Sequence, residues 1–267
     1  MSQQGILTPA TQSAAVAFPV FSATSPDLLS AQAAVVYDPK DGRILFSKNA
    51  FAPLPLASIT KLMVAEIVLT ALPSDTEVRI TSNSLKPEGD SGFKVGDTIS
   101  LSHLLMIGLV ASSNDAMQAA AESLGKEYLA RMNEVAQNLG LTHTIFNNPT
   151  GLDIDPYTAG AYSSAYDVAQ LASLFYKQHP SFFELTQQDT VSIEVGGRTI
   201  TSPATSKSLL SIPGFIGAKT GYTDLAGGNL VAVFDVEIGH PLVAVVLGST
   251  REGRFGDIRT LIHATRK

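Results

Sequence analysis

The sequence predicts an α+β fold, and three observations carry that expectation. Short β-prone runs lie near both ends of the chain, helical patterns fill its middle, and no internal repeat of fixed period interrupts that plan. Strands at both ends with helices between them imply a sheet completed by the two ends of the chain around a mostly helical insert.

Taken in order, residues 1–26 contain no Asp, Glu, Lys or Arg and are rich in Ala, Gln, Ser, Thr and Pro. Such a composition rarely folds alone and reads as a flexible lead-in or linker. The apolar piece Ala14 to Phe21 lacks the positive region of a signal peptide and is interrupted by Pro19. The runs Ala33 to Tyr37 and Ile44 to Ser47, separated by Asp38-Pro39-Lys40-Asp41-Gly42, read as a β-hairpin. Pro53 and Pro55 end the extended stretch, and a helix is expected from Ser58 to about Leu72, closed by Pro73. Further helices are expected near 102–110, 114–124, 126–139 and 164–178. Strands return at Val191 to Val195, Thr199 to Thr201, Leu230 to Glu237 and Leu242 to Leu247, with Gly239-His240-Pro241 turning between the last two, before a closing helix near 254–265. This divides the folded body, 27–267, into a sheet part (27–56 and 186–267) and a helical insert (57–185).

Composition limits the chemistry. With 45% hydrophobic and 16% charged residues the chain suits a compact body with a large core. It contains no cysteine, which removes thiol nucleophiles, disulfides and Cys-type metal sites. The net charge of −6 gives no overall basic footprint for nucleic acid. No apolar run reaches the length of about 20 residues that a membrane helix needs. The histidines, His103, His143, His179, His240 and His263, are scattered and form no His-x-x-x-His pair, so no metal or other cofactor is expected.

The first helix carries an oddity. Ser58 to Thr70 is apolar on nearly every face, the mark of a helix buried all round. Ser58 and Lys61, three apart, share a face, and a lysine desolvated there loses preference for its charged form. It could then take the proton of a serine nucleophile. The competing reading makes Ser58 an N-cap and lets Lys61 reach solvent. Spacing alone does not decide, because Ser123-Leu124-Gly125-Lys126 repeats it.

Two further pieces follow. Ala111-Ser112-Ser113-Asn114-Asp115-Ala116 is a polar knot in which Ser112 and Asn114 could present a hydroxyl and an amide, or only cap a helix. Gly217-Ala218-Lys219-Thr220-Gly221-Tyr222-Thr223 offers a cation and a hydroxyl along a strand edge that Gly leaves open to a ligand. A phosphate loop would need Gly where Ala218 stands. Ser-x-x-Lys, Ser-x-Asn and Lys-Thr-Gly in that order form the motif set of penicillin-binding proteins and class A β-lactamases.

With these residues in view, the chain resembles the low-molecular-mass penicillin-binding proteins of the serine-type D-alanyl-D-alanine carboxypeptidase family. The likeness runs from about Ala31 to the C-terminus and includes Asn148-Pro149-Thr150-Gly151-Leu152 and Ser163-Ser164-Ala165-Tyr166-Asp167. The resemblance implies a five-stranded antiparallel sheet flanked by helices, an all-helical subdomain, and a cleft between them. It implies Ser58 as acylated nucleophile, Lys61 as its base, and Ser112 as relay toward the leaving amine. Asn114 would hold the substrate backbone and Lys219 would keep the field positive. Thr220 and Gly221 would line the strand edge, with the backbone N–H groups of Ser58 and Tyr222 as oxyanion hole. Arg254 falls where relatives place a guanidinium for the terminal carboxylate, against the alternative of a surface arginine in a helix's first turn. Lys61 is expected neutral and Lys219 charged, because neighbouring ammonium groups depress each other.

The resemblance further implies a peptidoglycan stem peptide as substrate, β-lactams as covalent inhibitors, no nucleic acid, and work outside the cytoplasm. Any membrane anchor is expected to lie in a segment outside this chain. A D,D-endopeptidase shares the same motifs, a transpeptidase differs only in its acceptor, and a non-turning-over penicillin sensor or wall-binding module would stop at the acyl stage. A class A β-lactamase is disfavoured, since the only local Glu-x-x-x-Asn, Glu134 to Asn138, falls inside a helical pattern.

Overall fold

The computed structural model describes residues 25–265. The lead-in therefore lies mostly outside the described residues. Its last two, Ser25 and Pro26, open a 3-10 turn, Pro26–Leu28, capped by the Ser25 hydroxyl.

Strands β1 (Ala33–Asp38) and β2 (Arg43–Lys48) form the expected hairpin, with Gly42 at φ +69° in its turn. Two-residue β3 (Leu54–Pro55) leads into a 3-10 turn, Ala57–Thr60, and then α1 (Lys61–Ala71). The small hairpin of β4 (Glu77–Arg79) and β5 (Thr98–Ser100) precedes α2 (Leu101–Val110), α3 (Asn114–Glu122) and α4 (Tyr128–Asn138). Short β6 (Ile145–Phe146) and β7 (Ala161–Ser163) join β3 in a three-stranded patch. Helices α5 (Ala165–Gln178) and α6 (Pro180–Glu184) are followed by a hairpin of β8 (Thr190–Val195) and β9 (Arg198–Pro203). The chain finishes with β10 (Phe215–Thr223), β11 (Gly227–Glu237), β12 (His240–Ser249) and α7 (Gly253–Ala264).

The main sheet has strand order β10-β11-β12-β1-β2, antiparallel throughout, so both ends of the folded body build it as expected. Its central strands read as continuous apolar runs because both faces are covered. Val35, Val231, Val233, Val243 and Val245 join the core shared with α1, α2, α3 and α5. Their alternating neighbours Ala34, Val36, Leu230, Ala232, Phe234 and Val246 pack with Ile258, Leu261 and Ile262 of α7.

Three expectations need correction. Ser58 does not open an α-helix but lies inside the 3-10 turn before α1; it does not cap it, and the three-residue spacing still keeps it beside Lys61. The pair expected at 191–201 stands apart from the main sheet as its own hairpin, turning at Gly196 and Gly197 with φ +53° and +72°. His240 belongs to β12, not to the turn, and its Nε2 sits 3.0 Å from Asp38 Oδ2 across the sheet.

The turn that carries Ser58 is under pressure from two sides. Ala57 takes φ +50°, a left-handed value that costs a non-glycine residue about 1 kcal/mol. Gly151, at φ +80°, lies so close that a Cβ there would be 1.9 Å from the Ala57 carbonyl oxygen. Replacing Gly151 by Ala must displace the Ser58 turn. The expected outcome is a loss of about 2 kcal/mol, seen as a melting temperature lower by several degrees, together with slower acylation of Ser58. A variant melting and reacting like the wild type would contradict this packing.

Candidate active site

Three elements meet around Lys61. The 3-10 turn brings Ser58, α1 brings Lys61, and the first residue of α3 brings Asn114. Lys61 Nζ lies 2.7 Å from Ser58 Oγ, 2.8 Å from Asn114 Oδ1 and 2.8 Å from the Thr150 carbonyl oxygen. The Asn114 amide is oriented by its other end, since Nδ2 donates to the Glu88 carbonyl at 2.6 Å and a carbonyl only accepts. Two of the three neighbours of Lys61 are therefore pure acceptors. A neutral amine, with two N–H bonds and one lone pair, satisfies both of them and turns its lone pair to the Ser58 hydroxyl.

The electrostatics favour that neutral form. Lys61 is completely buried. Burial foremost, and then the nearby Lys219 ammonium, hold it well below the usual lysine range. Lys219, 1% exposed on edge strand β10, donates to Ser112 Oγ and to the Thr220 carbonyl, both at 2.9 Å. Burial and the Arg254 guanidinium lower it to about 7. Near neutrality Lys219 is thus poised between its two forms, more finely than the expected fully charged lysine.

The second half of the site is built on β10. Thr220 Oγ1 donates to Thr205 Oγ1 at 2.7 Å. Gly221 faces the nucleophile turn: a Cβ there would lie 3.1 Å from the Ser58 backbone nitrogen and 3.0 Å from the Leu56 oxygen. Only glycine lets the strand edge approach Ser58 this closely. Tyr222, 42% exposed, lies on the cleft wall with the Arg251 guanidinium 5.0 Å from its ring centre. Arg254 is buried, not a surface arginine of α7. Its Nη1 donates to the Gly221 carbonyl at 2.6 Å, while its buried Nε has no hydrogen-bond partner among the described residues.

Ser112 takes φ +64°, a strained value in the link from α2 to α3. Its hydroxyl bonds to Lys219 and, among the described residues, to neither Ser58 nor Lys61. Every residue singled out from the three motifs thus lies in one place. The lysines are bridged through Asn114, Ser112 and the short α2 to α3 link. A cleft of about 910 Å³ opens beside Asn114 and Tyr222, walled by Glu88, Thr150, Leu152 and Asp153. Sequence reasoning missed Thr150, whose contribution is a backbone carbonyl and carries no residue signature, and the Glu88 carbonyl for the same reason.

This arrangement sets a serine hydroxyl against one buried lysine, with a second buried lysine on the facing strand edge. The chain belongs to the D-alanyl-D-alanine carboxypeptidase family, peptidase family S11, which it matches over residues 20–251. It is 32% identical to the D-alanyl-D-alanine carboxypeptidase DacF of Bacillus subtilis over 76% of its length and 53% of that protein's. It is 32% identical to a D-alanyl-D-alanine endopeptidase of Pseudomonas aeruginosa, covering 66% of that chain. The chain thus spans between about half and two thirds of these curated relatives. Penicillin-binding protein D2 of Listeria monocytogenes, solved in its ampicillin-bound form, superposes with a TM-score of 0.79 at 32% identity, over 91% of this chain and all of that one.

The charges set a pH profile. Acylation at low substrate concentration should fall above about 7 as Lys219 loses its charge. In Lys219→Arg, whose cation does not titrate in this range, the alkaline limb should move upward by at least about one pH unit. An alkaline limb that stays in place would assign it to another group.

Proposed function

We propose that this chain is a serine-type D-alanyl-D-alanine carboxypeptidase that removes the terminal D-alanine from peptidoglycan stem peptides through an acyl-enzyme on Ser58. The observation that carries this reading is the surroundings of Lys61 Nζ, where only the Ser58 hydroxyl, 2.7 Å away, has a proton to give.

In this reading Ser58 is the nucleophile and Lys61 its base. Lys61 takes the Ser58 proton as Oγ attacks the peptide carbonyl, and when the C–N bond breaks the acyl group stays on Oγ as an ester. The backbone N–H groups of Ser58 and Tyr222 hold the developing oxyanion, each worth about 3 kcal/mol. In this reading Ser112 gives its hydroxyl proton to the leaving amine and regains one from Lys61, a transfer for which the two must close on each other, since the Ser112 oxygen is bonded to Lys219 here. Water then attacks the ester, its proton returning through Lys61, which frees the shortened peptide and restores Ser58. The substrate backbone adds along the open edge of β10, with Asn114 on its other side. In this reading Arg254, whose planar fork suits a carboxylate, takes up the terminal carboxylate, while Lys219 keeps the field positive and Thr220 lines the strand edge.

An endopeptidase reading uses the same steps with a larger leaving group, and the similarity to the Pseudomonas aeruginosa endopeptidase supports it. The carboxypeptidase reading is preferred on the family match over residues 20–251. β-Lactams, whose strained amide would acylate Ser58, act as covalent inhibitors in this reading, and the substrate places the enzyme outside the cytoplasm. Among the described residues no helix is long and apolar enough to cross a membrane.

The deciding experiment incubates the purified protein with a stem pentapeptide ending in D-Ala-D-Ala, with a crosslinked peptide dimer, and with penicillin. The wild type should release D-alanine repeatedly, prefer the pentapeptide, and gain the mass of one penicillin; Ser58→Ala should do none of these. An adduct that persists in Ser58→Ala overturns the nucleophile, and preference for the dimer moves the function to the endopeptidase. In Arg254→Ala the Michaelis constant for the pentapeptide should rise by about tenfold, as expected for a lost charged hydrogen bond.

A further inference from the structure

The connection between β4 and β5 is laid along α3 from its last turn to its first. At the far end Thr81, Asn83 and Ser84 all bond to the Glu122 carboxylate. At the near end the Ser91 backbone N–H donates to Asp115 Oδ2 at 3.1 Å, and Ser91 Oγ lies 2.6 Å from Ser113 Oγ. Ser113 already accepts from the Ala116 N–H as the cap of α3, so its own hydrogen is available to Ser91. Between the two ends, Glu88 delivers its carbonyl to Asn114 Nδ2.

Asp115 is the costly member of this strap. It is 2% exposed, and its Oδ1 has no hydrogen-bond partner among the described residues. Burial pushes its carboxyl up. A buried carboxyl held by so few bonds is expensive, and no step of the proposed reaction uses it. Its return is geometric. The Asn114 amide can face Lys61 with its oxygen or, after a half-turn, with its NH2 group. The second arrangement sets N–H against Nζ and draws the lysine lone pair away from Ser58. The Glu88 carbonyl forbids it as long as the strap stays in place.

We infer that Asp115 and Ser91 are positioning residues of the reaction: they latch the strap to the first turn of α3, so that Glu88 fixes the orientation of Asn114 and Asn114 fixes Lys61. This rests on the serine and lysine reading of the site. The latch predicts a defect in the chemical step and not in recognition.

The test is pre-steady-state acylation by a fluorescent penicillin, which separates the dissociation constant of the first complex from the acylation rate constant. Rates are counted per active site from the adduct that accumulates at long times, so unfolded protein does not enter. Asp115→Ala should lower the acylation rate constant by about tenfold while leaving the dissociation constant within about twofold. Asp115→Asn, which keeps an oxygen for the Ser91 N–H, should recover to within about twofold of wild type. Ser91→Pro removes the same N–H from the strap side, together with the hydroxyl bond to the Ser113 cap, and should be at least as slow as Asp115→Ala. Wild-type acylation in both Asp115→Ala and Ser91→Pro, an effect confined to the dissociation constant, or an Asp115→Asn variant as slow as Asp115→Ala each overturns the inference. Failure of the underlying reading would show differently, as a wild-type protein that forms no adduct.

Discussion

Two lysine side chains buried side by side are the constraint on which the rest of this structure depends. Lys61 and Lys219 are 0% and 1% exposed, and among the described residues neither has a carboxylate partner. An unpaired ammonium in such a place sheds its charge instead of paying for full desolvation. The protein therefore obtains a neutral amine beside a serine by withholding counter-charges. Removing acid from the neighbourhood is as much a part of the design as placing the lysines. Arg254, brought to the same strand by α7, adds a guanidinium and pushes Lys219 down further.

That arrangement has a stability cost with a definite sign. Each buried lysine binds its proton less tightly in the folded than in the unfolded chain. The unfolded state therefore holds more protons between the two values, and stability rises with pH there. For Lys219 the window runs from about 7 up to its ordinary value of 10.5. The surrounding fold carries the cost through its apolar mass. α1 is buried from Lys61 to Val68, and the central strands are covered on both faces. Backbone strain at Ala57 and Ser112, φ +50° and +64°, sits at the same centre. Activity and stability are opposed in this region, as expected where a site is held by its scaffold against local preference.

Much of this was legible in the sequence, for reasons that differ by residue. The pair Ser58 and Lys61 survives the replacement of an expected α-turn by a 3-10 turn because three-residue spacing keeps neighbours together in both. The all-round apolarity of α1 announced its burial, and the apolar run from Leu230 announced a strand, though not that both of its faces would be covered. Strands of two or three residues, such as β3 to β7, are too short to show a period. Thr150 and Glu88 act through carbonyl oxygens that any residue would supply. The separate β8 and β9 hairpin carries the same alternation as a sheet strand, so its pattern could not say which sheet it would join. Gly151 and Gly221 were visible as glycines, but their closeness to Ala57 and Ser58 is a tertiary fact.

The central claim is that Lys61 is an amine, not an ammonium, in the resting protein. The most direct measurement is heteronuclear NMR of protein labelled in the lysine Cε and Nζ atoms, followed through a pH titration and assigned with a Lys61→Arg variant. The account predicts a Lys61 signal with amine shifts at neutral pH that converts to ammonium only on acidification, well below the ordinary lysine range. A Lys61 signal that remains ammonium until about pH 10, as in an unperturbed lysine, would contradict it.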